Sequence, residues 1–330
     1  MPGVVLDPSL GITASAFGCA RRGASHKRAG TCCQDAHLLA DMSISGFPML
    51  FAAVADGHGS KQHDRSHIGA HLALQAAMQT LGWLLLGVRQ DVESACDSFS
   101  NEAKAPSPSD SECLDKEALV SNLTRNFRDH FPRMLCRLWR ELICLHGKNR
   151  ADPEATLSDP LFIKRYGTTL LVAALIGDAV LLAQIGDGDI ALLGKDEKNE
   201  LQVSFPLAGT DDLVAGETHS LCSEDASRLF RTGIRPRNGV SMITLSTDGL
   251  RNAYEKEESF RNLLVGIRDN IRAYGSTTAN GVLPEYFDRF SDHGSGDDIT
   301  LAGIYLERPT ITETANRDEV GDLQSSLRRT

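Results

Sequence analysis

The sequence predicts an α+β fold in which antiparallel β-sheet packs against long helices. Short apolar segments bounded by turn residues, typical of strands, lie towards both ends of the chain, and segments with helical spacing of apolar residues lie between and after them. Residues 169–186 contain two apolar runs joined by Gly177-Asp178, which is typical of a β-hairpin. Runs of strands followed by runs of helices favour an α+β arrangement over regular βαβ alternation.

The predicted elements follow the local patterns in chain order. Strands are expected at 11–18, 49–55, 169–186 (as the hairpin), 190–193, 201–205, 241–247 and 299–306. Amphipathic helices are expected at about 63–86, 116–146 and 254–274, and Pro132 is expected to kink or divide the second helix.

Two polar segments interrupt this pattern. Residues 101–115 contain Pro106 and Pro108 among polar residues and predict a mobile loop. Residues 309–330 are polar and lack periodicity, which predicts a disordered tail. We therefore expect one domain over residues 1–308, with a polar insertion at about 97–116.

Composition excludes several classes of protein. The chain has 330 residues, of which 41% are hydrophobic and 24% charged, and its net charge of −10 argues against nucleic-acid binding. Its eight cysteines form no Cys-x-x-Cys pair, so reduced structural cysteines are favoured over disulfides or zinc. The N-terminus lacks signal-peptide character and no apolar run reaches membrane-spanning length. We expect a soluble, cytoplasmic protein that binds neither membranes nor nucleic acid.

Acidic motifs recur where predicted strands begin or end. Carboxylates that cluster without basic partners repel one another unless a hard cation lies among them. Each motif alone fits a polar turn, but their recurrence at strand ends favours a two-metal hydrolytic centre. The motifs are Gln34-Asp35, Asp56-Gly57-His58-Gly59, Asp248-Gly249 and Asp297-Asp298.

The second motif suits such a centre because each residue type has a use. A strand-end carboxylate such as Asp56 can bridge two cations, and Gly57 allows close approach of the backbone, whose carbonyl oxygen is a further ligand. His58 would lie beside the metals and suits a general acid that protonates a leaving alkoxide. The alternative is a tight turn with an exposed histidine.

A second set of histidines has a structural explanation. His63, His67 and His71 recur every four residues and could line a metal site on one helix face. No acid or cysteine completes the set, so an ordinary helix surface is the favoured interpretation.

Together the motifs resemble the metal-dependent protein Ser/Thr phosphatases of the 2C type, the PPM family, and in particular its bacterial branch. The resemblance covers residues 11–306 and implies a four-layer αββα sandwich, with two central, mainly antiparallel β-sheets flanked by helices. The matching segments are CQDAH (33–37), VADGHGS (54–60), Gly167-Thr168-Thr169, IGDGD (185–189), STDGL (246–250) and GDDITL (296–301).

The resemblance also implies a set of metal ligands. Asp56 resembles the ligand that bridges two Mn²⁺ or Mg²⁺ ions, and Gly57 the carbonyl ligand of the second ion. Asp248 and Asp297 resemble the remaining ligands of the first ion. Asp35 resembles the acid that contacts a metal through water. Hydrolysis of phosphoserine or phosphothreonine by a metal-activated water is the implied reaction, with His58 as the general acid.

Two further acids have implied roles. Asp187 lies where many members hold a third, weaker metal ion shared with Asp248. Asp298 takes a position often occupied by Asn, which implies a supporting role behind the ligands rather than ligation.

The motif departs from the family pattern at two positions. Gln34 replaces a common Glu and would hydrogen-bond a metal-bound water, and Gly30 replaces an Arg that binds substrate phosphate. His26 or Arg28 could supply the missing positive charge. The residues leave the choice between them open.

Three functions remain open at this stage. The favoured one is a protein Ser/Thr phosphatase acting on phosphorylated proteins, with a Ser/Thr kinase as an implied partner. The alternatives are a catalytically silent phosphoprotein-binding protein of the same fold and a small-molecule phosphatase. Residues 205–240 are rich in Gly, Asp and Arg, and we expect them to form a flap that helps to choose substrates.

Overall fold

The computed structural model describes residues 4–7, 12–44, 47–99, 108–152, 155–156, 159–196, 198–208 and 218–307. Their β-strands form two sheets in which all neighbouring strands are antiparallel. In spatial order the first sheet contains β1 (Val4–Asp7), β2 (Ile12–Arg21), β11 (Ile299–Glu307), β10 (Val240–Ser246), β7 (Asp189–Lys195) and β8 (Leu201–Ser204). The second contains β3 (Ala36–Ile44), β4 (Phe47–Ala55), β5 (Leu170–Ile176), β6 (Ala179–Ile185) and β9 (Arg231–Pro236).

Helices cover the outer face of each sheet. The described helices are α1 (Ala24–Ala29), α2 (Ser66–Phe99), α3 (Pro108–Asn149), α4 (Pro160–Lys164), α5 (Ala226–Leu229), α6 (Asp248–Arg251), α7 (Glu257–Tyr274) and α8 (Ser276–His293), with a 3₁₀ turn at Lys61–His63. No helix in these ranges is both long and apolar enough to cross a membrane.

Three apolar layers hold the elements together, and strand β4 shows how. Phe51 faces outward and packs with Phe127 of α3, whereas its neighbour Leu50 faces the other sheet and packs with Ile243 of β10. A third layer packs α7 and α8 against the outer face of the first sheet. Because side chains alternate across a strand, strands buried on both faces must be apolar throughout. The four-layer αββα sandwich is confirmed.

Several predicted elements differ in detail. Helix α3 begins at Pro108, so residues 108–115 are helical rather than part of a loop; proline suits the first turn because its missing N–H has no helical partner there. Pro132 lies inside this helix and does not divide it. The rest of the predicted loop, 101–107, and the predicted tail, 309–330, lie outside the described residues.

Besides short elements such as β1 and α1, three longer elements were not predicted. Strand β3 is only partly buried and has a mixed sequence. Helix α8 contains Pro284 and several residues of low helix propensity, but it packs on the sheet through Leu283 and Phe287. Strand β9 lies within the predicted flap segment and forms an edge of the second sheet. In these elements tertiary packing outweighs local sequence preference.

The register of the ladders brings the acidic motifs to one end of the sandwich. Ala36, which begins β3, pairs with Ala55, which ends β4, so Asp35 and Asp56 leave the second sheet side by side. In the first sheet Ser246, which ends β10, pairs with both Leu301 and Asp189. The loops that carry Asp248, Asp297 and Asp187 therefore share this end.

Candidate metal centre

Five carboxylates at this end of the sandwich form what we call the acidic cluster: Asp35, Asp56, Asp187, Asp248 and Asp297. Asp56 is its centre, because its carboxylate interacts electrostatically with those of Asp35, Asp248 and Asp297 and lies within hydrogen-bonding reach of Asp248. Asp187 joins the cluster through its interaction with Asp248. The structure thus brings together the carboxylates that the sequence pattern singled out.

Backbone hydrogen bonds hold the Asp56-Gly57 turn in place. The Asp56 carbonyl accepts bonds from Thr168 Oγ1 and from the Thr169 N–H, both at 2.8 Å. The Gly57 N–H donates to the Gln34 carbonyl at 3.2 Å. A Cβ at Gly57 would lie 2.8 Å from the Ser66 backbone and 2.9 Å from the Gln34 carbonyl oxygen, so only glycine fits this turn.

Asp35 is tied to the other sheet by one threonine. Its carboxylate is 5% exposed and accepts a 2.8 Å hydrogen bond from Thr247 Oγ1. The same hydroxyl oxygen accepts the Thr300 N–H at 3.0 Å. Asp35 and the start of β11 are therefore bound to the segment that presents Asp248.

The acidic cluster resists ionisation in the protein alone. Burial raises the pKa of Asp35 and Asp56 well above the usual value, and burial also raises the pKa of Asp248. Neighbouring carboxylates raise the pKa of Asp35 and Asp56 further, and Asp187 and Asp297 do the same for Asp248, whereas its contact with Asp56 lowers it. Within the described residues, no lysine or arginine forms an ion pair with any member of the cluster.

This chemistry fits hard divalent cations. Oxygen ligands without counter-charges are the donor set that Mg²⁺, Mn²⁺ and Ca²⁺ prefer, and a cation would remove the repulsion that raises these pKa values. The carboxylates are spread around Asp56: in the described part of the chain no three of them place one oxygen each within 4.8 Å of one another. Ligands around one ion lie closer together, so three of these carboxylates would have to move inward to share one ion.

Asp187 and its neighbour Asp189 lie at the rim. Asp187 is exposed, and its carboxylate accepts a 2.7 Å hydrogen bond from Thr218 Oγ1. Burial raises the pKa of Asp189 to about 6, and Arg251 lies 3.7 Å from it. Asp189 was not assigned a role from the sequence, although the Gly-Asp-Gly-Asp motif contains it.

Asp298 organises the loops behind the acidic cluster. Its buried carboxylate accepts the N–H groups of Gly23 and Gln34, both at 2.6 Å, and bonds to His26 Nδ1 at 2.8 Å. The Gln34 side chain in turn donates to Ser66 Oγ at 3.1 Å and to the His58 carbonyl at 3.4 Å. Both side chains therefore hold neighbouring loops in place; the supporting role of Asp298 and the hydrogen bond from Gln34 to a metal-bound water stay predictions.

The two predicted phosphate-binding residues have different surroundings. His26 is partly buried and fastened to Asp298, whereas Arg28 is exposed and no described acid pairs with it. A basic residue that the sequence interpretation missed also approaches the cluster. Arg231 of β9 interacts electrostatically with Asp187 and Asp189 and donates to the Gly186 carbonyl at 2.8 Å. Its only sequence signal was the arginine content of residues 205–240.

His58 stands beside the acidic cluster in a neutral form. The backbone N–H of His58 donates to the Gly167 carbonyl at 3.1 Å. Its imidazole ring contacts that of His63, with the ring centroids 4.8 Å apart. Burial, and then the neighbouring His63, lowers the pKa of His58 to about 4. The neutral imidazole therefore predominates at neutral pH, and a proton-donating role requires nearby negative charge, such as a bound phosphate, to raise this pKa.

Comparisons with known proteins place the chain in a family. The model of the family described as protein phosphatase 2C matches residues 22–286, most of the chain. A search among curated proteins found no match.

Similar folds occur among solved structures. One is PppA, described as a regulatory component of T6SS in Pseudomonas aeruginosa, with 15% identity over 89% of this chain and 98% of that one and a TM-score of 0.48. A second is the serine/threonine phosphatase Stp1 from Staphylococcus aureus, with 13% identity, coverage of 89% and 95%, and a TM-score of 0.46. A third is the catalytic domain of the phosphatase PstP in complex with two manganese ions, with 14% identity, coverage of 89% and 99%, and a TM-score of 0.44. Similarity this distant carries no argument about activity. On the strength of the family match, the chain belongs to the protein phosphatase 2C family.

Proposed function

We propose that this protein is a metal-dependent Ser/Thr phosphatase that hydrolyses phosphoserine and phosphothreonine monoesters in protein substrates. The observation that carries the proposal is the acidic cluster. It provides several oxygen ligands at one end of the sandwich, and within the described residues none of them forms an ion pair with a lysine or arginine. A silent binding protein would have no need to keep repelling carboxylates together, since their burial is unfavourable in the absence of a cation.

The residues that would hold divalent cations can be named. Asp56, Asp248, Asp297 and the Gly57 carbonyl would hold two ions. Asp35 would act through water, and Asp187 with Asp248 could hold a third ion. When bound, Mn²⁺ or Mg²⁺ would supply positive charge for the phosphate and acidify a water molecule.

The chain's own residues would then orient the reacting groups. Thr168 and Thr169 fix the Asp56 backbone, and Thr247 fixes Asp35, so the ligand carboxylates are held before substrate binds. Preorganisation of this kind lowers the reorganisation needed to reach the transition state. His58 would hold the proton destined for the serine or threonine oxygen once a phosphate dianion lies beside its ring.

Positive charge for substrate binding would come from two sides of the cluster. His26 is oriented by Asp298, and Arg231 approaches from β9. Arg231 is the stronger candidate for phosphate contact because it always carries its charge and offers a planar pair of donors. A Ser/Thr kinase that modifies the same substrates is the implied partner.

The direct test measures phosphate release from a phosphothreonine peptide, a nucleotide monophosphate and p-nitrophenyl phosphate. Each substrate is assayed with Mn²⁺, with Mg²⁺ and with a chelator. The variant Asp248→Asn removes a proposed ligand at an already polar position. Asp292→Asn is the matched control, because Asp292 is an exposed aspartate of α8 that is not a member of the cluster.

The expected result is metal-dependent release from the peptide that falls at least about 100-fold in Asp248→Asn, a loss of about 2.7 kcal/mol of transition-state stabilisation. Asp292→Asn should retain wild-type turnover. Release from the nucleotide alone would favour a small-molecule phosphatase. Absence of release from folded, metal-loaded protein would favour a binding protein and contradict the proposal.

A further inference from the structure

A second group of metal-ligating side chains lies beside the acidic cluster. His58, His63 and Cys222 each offer one ligand atom, and these atoms lie within 4.8 Å of one another. All three side chains are partly exposed, so solvent and ions can reach them. Among the described residues, no other three side chains of His, Cys, Asp or Glu bring their ligand atoms this close together.

The three side chains converge over one glycine. A Cβ on Gly167 would lie 2.6 Å from His63 Cδ2, 2.8 Å from His58 Cδ2 and 2.9 Å from Cys222 Sγ. The absence of a side chain at Gly167 is therefore what leaves room for the group. In both imidazoles Cδ2 is bonded to Nε2, so the Nε2 edges of the two rings approach this space.

Neighbouring hydroxyl groups orient the ligands. His63 Nδ1 is hydrogen-bonded to Ser60 Oγ at 2.8 Å, which leaves Nε2 free. Cys222 Sγ lies 3.3 Å from Ser220 Oγ, and the Ser220 hydroxyl also bonds to the Thr168 backbone. A hydrogen bond to the second ring nitrogen is the usual support of a metal-binding histidine, because it fixes the tautomer and the ring orientation.

The chemistry of these ligands differs from that of the acidic cluster. Two imidazole nitrogens and one thiolate select borderline-soft ions such as Zn²⁺ or Co²⁺, whereas Mg²⁺ and Mn²⁺ prefer carboxylate oxygens. Tetrahedral ligands around zinc lie about 3.3 to 3.7 Å apart, given Zn–N and Zn–S bonds of about 2.0 and 2.3 Å. Small rotations of the three side chains would shorten the distances between their ligand atoms to those required around one ion.

We propose that His58, His63 and Cys222 form a separate site for Zn²⁺ or a similar soft divalent cation, with the fourth coordination position open to water. Binding releases the Cys222 thiol proton to solvent and forms a sulfur–metal bond and two nitrogen–metal bonds. The site differs from the acidic cluster in its ligands and in the metal it prefers. The two sites are neighbours because one loop carries both Asp56 and His58.

The consequence for catalysis rests on the proposed function. A cation on His58 would occupy the imidazole lone pair and hold the ring, so His58 could no longer carry a proton to the leaving oxygen. Zn²⁺ would then inhibit the phosphatase without displacing the ions of the acidic cluster.

Metal binding can be tested without any assay of activity. The reduced, full-length protein is first saturated with Mg²⁺, which occupies carboxylate sites, and is then titrated with Co²⁺. Absorption from thiolate-to-cobalt charge transfer reports sulfur ligation only. The variants are Cys222→Ser, His63→Gln and, as a matched control for an accessible thiol, Cys32→Ser, since Cys32 is exposed and outside the group.

We expect wild type and Cys32→Ser to bind one Co²⁺ per chain with a charge-transfer band. Cys222→Ser should lose the band, and His63→Gln should bind Co²⁺ at least about tenfold more weakly. A band that survives in Cys222→Ser, or that disappears in Cys32→Ser, would overturn the assignment. So would the absence of a band in wild type.

Inhibition is tested separately, on phosphatase turnover with Mg²⁺ present and Zn²⁺ added. Cys222→Ser should retain the basal turnover and require at least about tenfold more Zn²⁺ for half inhibition. Equal inhibition of both proteins would contradict the regulatory role. If the protein releases no phosphate at all, the proposed function fails, while the Co²⁺ titration still decides whether the site exists.

Discussion

Replacement of Asp56 by asparagine should stabilise the metal-free protein, although most substitutions at buried positions destabilise. Asp56 lies among Asp35, Asp248 and Asp297, with no basic partner among the described residues. Asparagine has nearly the same shape and can donate an N–H to the carboxylate of Asp248. The change therefore replaces repulsion with a hydrogen bond.

The magnitude follows from the contact between Asp56 and Asp248, which are within hydrogen-bonding reach. Two unit charges at about 4 Å repel by about 4 kcal/mol when the effective dielectric constant is about 20. The pair relieves part of this repulsion by holding a proton, so we expect a gain of about 1 to 3 kcal/mol at neutral pH. Gains of this size raise Tm by roughly 2–4 °C per kcal/mol.

The effect should depend on pH in a defined direction. Burial and neighbouring charges raise the pKa of Asp56 above the ordinary value of 3.8 for an aspartate, so the folded protein holds the proton more tightly than the unfolded chain. Stability of wild type is then greatest below that value and falls as the pH rises through the raised pKa. Asparagine does not titrate, so the advantage of Asp56→Asn should be small near pH 4 and should widen towards neutral pH.

Urea denaturation in chelator measures the free energy of unfolding at each pH, with Asp292→Asn as the control for loss of one negative charge. Addition of Mn²⁺ should reverse the order. At about 100 times its dissociation constant a cation adds about 2.7 kcal/mol to wild type, and Asp56→Asn should gain much less. If Asp56→Asn were destabilised in chelator at every pH, the carboxylates would not repel as inferred and the cation argument would fail.

Three other outcomes are expected. His58→Ala should lose about 10²- to 10⁴-fold of its turnover on a phosphothreonine peptide but far less on p-nitrophenyl phosphate, whose leaving group needs no proton; equal losses would exclude a general acid. Asp298→Ala should lower the free energy of unfolding by about 2–5 kcal/mol, because its carboxylate accepts one buried and one partly buried backbone N–H; a change within about 0.5 kcal/mol would refute that role. Gly69→Ala should destabilise by at least about 2 kcal/mol in thermal denaturation, since its Cβ would collide with the Tyr166 carbonyl oxygen, whereas Gly87→Ala on the same helix meets nothing and should be neutral or stabilising.

Local patterns predicted the strands that are buried on both faces, because such strands must be apolar throughout. The hairpin at 169–186 is an example: it was recognised from its two apolar runs and is observed as β5 and β6. Elements whose stability depends on distant partners were missed. Strand β9 is held by pairing with β6, and helix α8 by Leu283 and Phe287 against the first sheet, and neither partner is visible in a local window.

The acidic cluster could be predicted because each member lies within two residues of a strand end, and the strand register then brings these ends together. The contact between His26 and Asp298 could not be predicted, because the two residues are far apart in the chain and meet only through the packing of the loops. Arg231 shows the same limit: its approach to Asp187 depends on the pairing of β9 with β6.

The sequence alone determined the family, the sandwich and the acidic cluster, because motif order, apolar periodicity and strand-end carboxylates are all local properties of the chain. Only the tertiary structure decided that His63 lies beside Cys222, over Gly167. The sequence pattern had grouped His63 with His67 and His71 instead. His63 is the last residue of a 3₁₀ turn that precedes α2, so it does not share a face of that helix with His67 and His71. Contacts between residues distant in sequence are set by the register of strands and the packing of loops, and these depend on the whole chain at once.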